Sequence, residues 1–303
     1  MIEIAYILGI LLALGAAISV AITNLLIRKG SDGGRAYDAV FIVIAIEVIV
    51  LTPPIVWYYY PAYQITWLSV LSFILAGLTG TVAGQIFHFV SIGRIGASRT
   101  APIVASWALV STVLGVVLLG EEVTPIHAAG VVFVVIGVAG IAWETSHENP
   151  DQLSRRELAI GLLIPLGAVG AYGLEPIFAK VGFGEGTPAA VGLILKTGAA
   201  MIGFSLYLWW RHRLPELALL RTPSGKWYGL AGITTTLFLI GYYGALAVAP
   251  VSIVAPIIVS SSLFVVIFSA LFMPRQLEHV TWRLFAAVVI VVVGVVIITA
   301  FSG

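Results

Sequence analysis

The chain has 303 residues, of which 60% are apolar and 10% charged, with a net charge of +1 and no cysteine. Soluble domains carry about 25% charged residues, so this composition cannot cover a water-facing surface and reads as a multi-pass membrane protein in a lipid bilayer. The near-zero charge gives no footing for a nucleic-acid partner, and the missing cysteines exclude disulfides, thiolate nucleophiles and thiolate metal sites.

The N-terminal stretch MIEIAYILGILLALGAA contains Glu3 and no basic residue before Arg28. A secretory signal opens on a basic region, so this stretch reads as a permanent spanning helix. A span needs about 20 mainly apolar residues. Five such runs fall at 4–27, 38–59, 67–92, 97–119 and 125–143, and five more at 157–180, 187–210, 227–248, 250–273 and 280–301. KGSDGGR, YYYPAY, GEEVTP and RTPSGK punctuate them as loops. The longest polar stretch, 144–157, lies at the midpoint. The expectation is an all-α membrane protein of ten transmembrane helices, arranged as two inverted five-helix repeats at 1–145 and 157–303 with a polar linker at 146–156.

The repeat rests on residue matches. APIVAS, Ala101 to Ser106, returns as APIIVS, Ala255 to Ser260, at an offset of 154. An offset of 157 sets EEVT at Glu121 against EHVT at Glu278, and Gly137 against Gly294. An offset of 152 sets Arg28 against Lys180 and Thr23 against Glu175. Because five is odd, the second copy enters the membrane from the opposite side, a recurring plan among secondary transporters. Charge agrees: loops 1–2, 3–4, 5–6, 7–8 and 9–10, with their span edges, hold 13 of the 15 Lys and Arg residues. By the positive-inside rule that face is cytoplasmic and both termini lie outside.

Pro102, then Gly120-Glu121, then Gly130 and Gly137, together with a first span ending in NLLIRKG, resemble the EamA domain of the drug/metabolite transporter superfamily. The resemblance covers nearly the whole chain as two tandem domains. The second copy keeps Pro256, Glu278 and Gly294 but has Leu277 for Gly120 and Ala287 for Gly130. The resemblance implies a cell-membrane carrier, an exporter or exchanger of small organic metabolites, amino acids or drugs, working by alternating access. It also implies a cavity lined mainly by spans 1, 3, 4, 6, 8 and 9, and a monomer or a homodimer formed through spans 5 and 10. Each repeated Glu stands just before a span, which reads as helix-start chemistry.

Polar groups inside spans are expensive and mark function by default. Glu175 is the strongest candidate: it precedes Pro176, which disturbs the helical ladder, and follows Tyr172 by one turn. Its expected role is to take up and release a proton or to bind a cationic group; the bland alternative is a pair with Lys180. On span 3, Thr81, Gly84, Gln85 and His88 share a face by three- and four-residue spacing, and the offset of 154 sets His88 opposite Tyr242. A hydrogen bond from His88 to a neighbouring carbonyl, with no other role, is the competing reading. Trp107 lies inside a span, away from the aromatic belt, and reads as a pocket wall. Ser260 opens an SSS run, a motif that more often glues helices. The expected solute site, a cavity between the sequence halves, comprises Asn24, Gln85, His88, Trp107, Tyr172, Glu175, Tyr242 and Ser260, with Pro102 and Pro256 as hinges. Glu47 and Lys196, in spans 2 and 7, read as gating or structural charges.

No cofactor or metal is expected. An intramembrane enzyme acting on a lipid or small apolar substrate is the main alternative. It finds no HExxH, no ordered Ser-His-Asp set and no phosphate-binding glycine loop in this sequence. A channel would want a ring of repeated polar groups or a filter loop, which two non-identical halves do not provide.

Overall fold

A computed structural model describes residues 2–30, 36–95, 103–145, 155–215, 221–261, 263–264, 267–268 and 282–300. Every regular element among them is a helix. In chain order these are α1 (Ile2–Gly30), α2 (Ala36–Tyr59), α3 (Trp67–Ala76), a π-helical segment (Gly77–Gly84) and α4 (Gln85–Ile95). There follow α5 (Trp107–Leu119), α6 (Pro125–Thr145), α7 (Arg155–Gly184), α8 (Ala189–Trp210), α9 (Pro223–Val248), α10 (Val251–Val259) and α11 (Trp282–Ala300). Helix thus covers most of the described residues of each expected span. Five stretches are long and apolar enough to cross a membrane: Ala5–Ile27, Tyr37–Tyr59, Trp67–His88, Ala189–Trp210 and Pro223–Val248.

Local chemistry sets the boundaries. α3 begins with a capping box: the Ser69 amide donates to Thr66 Oγ1 at 3.1 Å, and the Thr66 amide donates to Ser69 Oγ at 3.0 Å. α5 ends at Gly120, whose φ of 68° is a left-handed cap that glycine adopts without steric cost. α9 gives way to α10 at Pro250, which starts a helix because its missing N–H would have no partner there.

The third span departs from expectation. It is not one regular α-helix but winds i→i+5 from Gly77 to Gly84 before resuming as α4. Gly77 lies so close to the backbone of Lys196 on α8 that a Cβ would collide with the Lys196 carbonyl. Thr79 Oγ1 donates to Leu75 O at 2.6 Å, a side-chain bond that competes with the regular ladder. The α-helical face drawn through Thr81, Gly84, Gln85 and His88 is therefore corrected. The three- and four-residue spacing holds from Gly84 and Gln85 to His88, and Thr81 falls out of phase.

The chain divides into two compact units. The first comprises Met1–Val82 and Phe178–Val248. In it α1 packs along α9, α9 packs on α2, and α2 and α3 pack on α8. Gly241 admits the backbone of α1, since a Cβ there would meet Leu12 O at 2.9 Å. Thr23 Oγ1 on α1 shares a hydrogen bond with Thr234 Oγ1 on α9 at 2.7 Å. An aromatic core joins Phe73, Phe183 and Tyr243, with ring centroids 5.4 to 6.5 Å apart.

The second unit comprises Ala83–Ile177 and Ala249–Gly303. Here α6 packs along α11, and α5 along α10. Contact between α6 and α11 is backbone to backbone. A Cβ on Gly130 would come within 3.0 Å of Gly294 O, and one on Gly137 within 2.9 Å of Ala287 O. As α6 advances from Gly130 to Gly137, its partner recedes from Gly294 to Ala287, so the two helices run antiparallel. The sequence offset of 157 makes Gly130 the equivalent of Ala287 and Gly137 the equivalent of Gly294. Each position therefore meets the equivalent of the other, a two-fold pattern of contact.

Candidate functional site

The second unit gathers a polar group on α7. Gly84, at the end of the π segment, lies under the Tyr172 ring; a Cβ there would reach Tyr172 Cε1 at 2.5 Å. That close approach sets the ring against α4. One turn along α4, His88 Nδ1 lies 3.5 Å from Tyr172 Oη, with the two rings edge to face, 6.1 Å between centroids and 87° between planes. Glu175, buried, follows one turn along α7. Pro176 comes next, buried inside the helix. Gln85, half-buried, begins α4 beside Gly84.

α5 reaches α7 at Gly173, between Tyr172 and Glu175: a Cβ on Gly173 would come within 2.7 Å of Val110 Cγ1. Trp107, half-buried, is the first residue of α5. Ser260, buried, ends α10, which packs on α5. Six of the eight expected site residues therefore stand in this one unit, on helices α4, α5, α7 and α10. Among them His88 and Tyr172 are in direct contact.

Ser106 and Ser260 close matching turns. Ser106 has φ −67° and ψ −6°, and Ser260 has φ −62° and ψ −8°. Ser106 Oγ donates to Ile103 O at 2.6 Å, and Ser260 Oγ donates to Ile257 O at 2.6 Å. Both turns interrupt a helix that resumes one residue later. Pro256 is buried inside α10. Pro102 lies outside the described residues.

The first unit holds the other two candidates. Asn24 is exposed on α1, and the buried polar contact belongs to its neighbour Thr23. Tyr242 is buried and stacks on Phe238, 5.4 Å between centroids and 10° between planes. Its neighbour Tyr243 carries Lys196, whose Nζ sits 4.8 Å from the ring centroid. Glu47 and Lys196 are each 3% exposed, a burial that sequence spacing did not predict for either charge. Surface clefts in this unit, one beside Tyr37, Tyr207, Arg211 and Arg213 and one beside Ile46, Ile49, Lys226 and Ile233, include none of the candidates.

Sequence reasoning missed Glu121 as a partner of α10 and passed over His127 altogether. The Glu121 carboxylate accepts from the amides of Val251 and Ser252. It serves a helix start 130 residues away rather than that of α6. His127 is 2% exposed and meets Ser252 O. No feature of the local sequence points from Glu121 or His127 to Val251 and Ser252. Among the described residues, no three His, Asp or Glu side chains gather in a way that would hold a metal ion.

Residues 7–143 match the model of the EamA-like transporter family. Among solved structures 28 chains match. One, a crystal structure of a protein 12% identical in sequence, aligns with a TM-score of 0.79 and covers 99% of this chain and 98% of its own. That likeness speaks to the fold. No curated protein matches the sequence. Over residues 7–143 the chain is thus similar to the EamA-like transporter family, and its described helices include five long and apolar enough to cross a membrane.

Proposed function

We propose that this protein is a secondary carrier, an exporter or exchanger in the cell membrane, that moves small amphipathic metabolites, amino acids or drugs by alternating access and couples the movement to protons at Glu175. The observation that carries this reading is the cluster of His88, Tyr172 and Glu175 beside Pro176 in α7. A buried carboxylate beside a helix-disturbing proline, with a phenol and an imidazole in contact one turn away, can bind an amine or exchange a proton in a place shielded from water. Gln85, Trp107 and Ser260 complete the lining in the second unit. Asn24 and Tyr242 remain candidates in the first. Phosphate solutes fit poorly, because a phosphate site would want an Arg or Lys among these residues.

Ten spans in two inverted five-helix repeats form part of the same proposal. It is supported by the matched turns at Ser106 and Ser260 and by the antiparallel, two-fold contact of Gly130 with Gly294 and Gly137 with Ala287. The partners are the solute and the bilayer. Where a homodimer forms, the exposed apolar side chains of Phe133, Ile136, Val292 and Val296 on α6 and α11 suit its contact. The test is an uptake screen in proteoliposomes over amino acids, sugars and cationic drugs, with and without an imposed pH gradient. Gradient-driven accumulation of one class supports the reading, and failure of every class refutes it.

A further inference from the structure

α10 has two weak points, and two residues that precede or begin α6 meet both. The first weak point is its start. A helix leaves its opening amides without intrahelical partners. At α10 the Val251 amide donates to Glu121 Oε1 at 2.7 Å and the Ser252 amide to Glu121 Oε2 at 2.9 Å. The next two amides, of Ile253 and Val254, donate to Pro250 O. The second weak point is Pro256. Proline has no N–H, so the carbonyl four residues earlier, that of Ser252, loses its helical donor. His127 Nε2 lies 3.0 Å from that carbonyl oxygen and supplies the missing bond as the Nε2–H tautomer.

Both clamp residues are themselves fixed. The left-handed Gly120 turns the chain, and the Glu121 amide donates to Gly115 O at 3.2 Å. The carboxylate rests against Gly115, where a Cβ would come within 2.8 Å of Oε2. The His127 amide donates to Thr124 Oγ1 at 3.2 Å. Every residue of α10 is buried, and Glu121 is half-buried.

We propose that Glu121 and His127 are positioning residues for the solute step. They clamp the first turn of α10 and close the gap at Pro256, which leaves the Ser260 turn as the point where this helix moves. The proposal rests on the transport reading. A simple cap would satisfy the two opening amides and stop there. The contact on the proline-freed carbonyl is the part that ties the clamp to the point where Pro256 weakens the helix. The arrangement also differs between the two sequence copies: Glu121 has its counterpart in Glu278, but the position equivalent to His127 is Leu284. Leucine has no side-chain N–H to donate, so the repeat does not carry the imidazole's role over to the Pro102 copy.

The test uses the full chain in liposomes and needs no solute. Hydrogen exchange of the unmutated protein should find the Val251 and Ser252 amides as protected as those in mid-helix; fast exchange at both overturns the clamp. The chain has no cysteine, so Ser261→Cys is a lone reporter beside the turn. His127→Leu should change its N-ethylmaleimide rate by about tenfold, the effect of stranding one buried acceptor. His127→Asn keeps an N–H donor and should restore the rate. An unchanged rate in His127→Leu, or no rescue by His127→Asn, overturns the positioning role. If His127→Leu does not fold, Glu121→Gln replaces it with the same expectation at Val251, Ser252 and the reporter, and an unchanged rate there overturns the role equally. Because no solute enters, these results stand apart from failure of the uptake screen.

Discussion

Ser106 and Ser260, 154 residues apart, make the same turn with the same hydroxyl bond to the carbonyl three residues before. Each stands four residues after a proline in the sequence, at Pro102 and Pro256. A residue repeat has become a geometric one, and both turns sit where a helix is interrupted. Replacing either serine with alanine removes a bond worth about 1 kcal/mol. Ser106→Ala and Ser260→Ala should each lower solute turnover several-fold with little change in thermal unfolding. Equal turnover in both variants would make the turns incidental.

Gly84 offers a sharper separation. A Cβ there would strike the Tyr172 ring, whereas one on Gly170, two residues before Tyr172, would meet nothing within 4 Å. Gly84→Val should weaken solute binding at least tenfold by displacing Tyr172 from His88, since small shifts in a binding group carry penalties of that order. Gly170→Ala should bind as the parent does. Equilibrium binding of the solute that the uptake screen identifies measures both.

The α6–α11 contact should be the stability-limiting one in the second unit. Gly294→Leu forces a side chain against Gly130 O and the Val134 amide. Overpacking of this kind costs about 1–3 kcal/mol, and the variant should unfold at lower temperature in detergent. Gly198→Ala, in open space, should not. A Gly294→Leu protein as stable as the parent would contradict the close approach.

Orientation follows from charge. Ser224, next to Arg221 and Lys226 on the basic face, should be cytoplasmic. An impermeant thiol reagent should leave Ser224→Cys unlabelled in intact cells and label it after permeabilisation. Labelling in intact cells would reverse the assignment.

Helix positions over the described residues were legible because the apolar runs are long and the loops carry Gly, Pro and charge. The helix stop at Gly120 and the start at Pro250 follow local rules that a reader of sequence can apply. The π segment was not legible: it begins at Gly77, which lies against the backbone of Lys196, more than a hundred residues further on. The same holds for Glu121: its type announced helix-start chemistry, but only the fold says which helix. On α1 the offset of 152 pointed to Thr23 as well as Asn24, and packing against Thr234 selected Thr23 for burial. In the candidate site, the pair of His88 and Tyr172 could be suspected from intramembrane polarity, but their contact depends on how α4 meets α7.

The central claim is that Glu175 couples solute movement to protons. Its most direct test compares the parent with Glu175→Gln in proteoliposomes, measuring both solute exchange without a gradient and accumulation driven by an imposed pH gradient. Glu175→Gln should fold, still exchange solute and no longer respond to the gradient. A Glu175→Gln protein whose accumulation follows the pH gradient as the parent's does would contradict it.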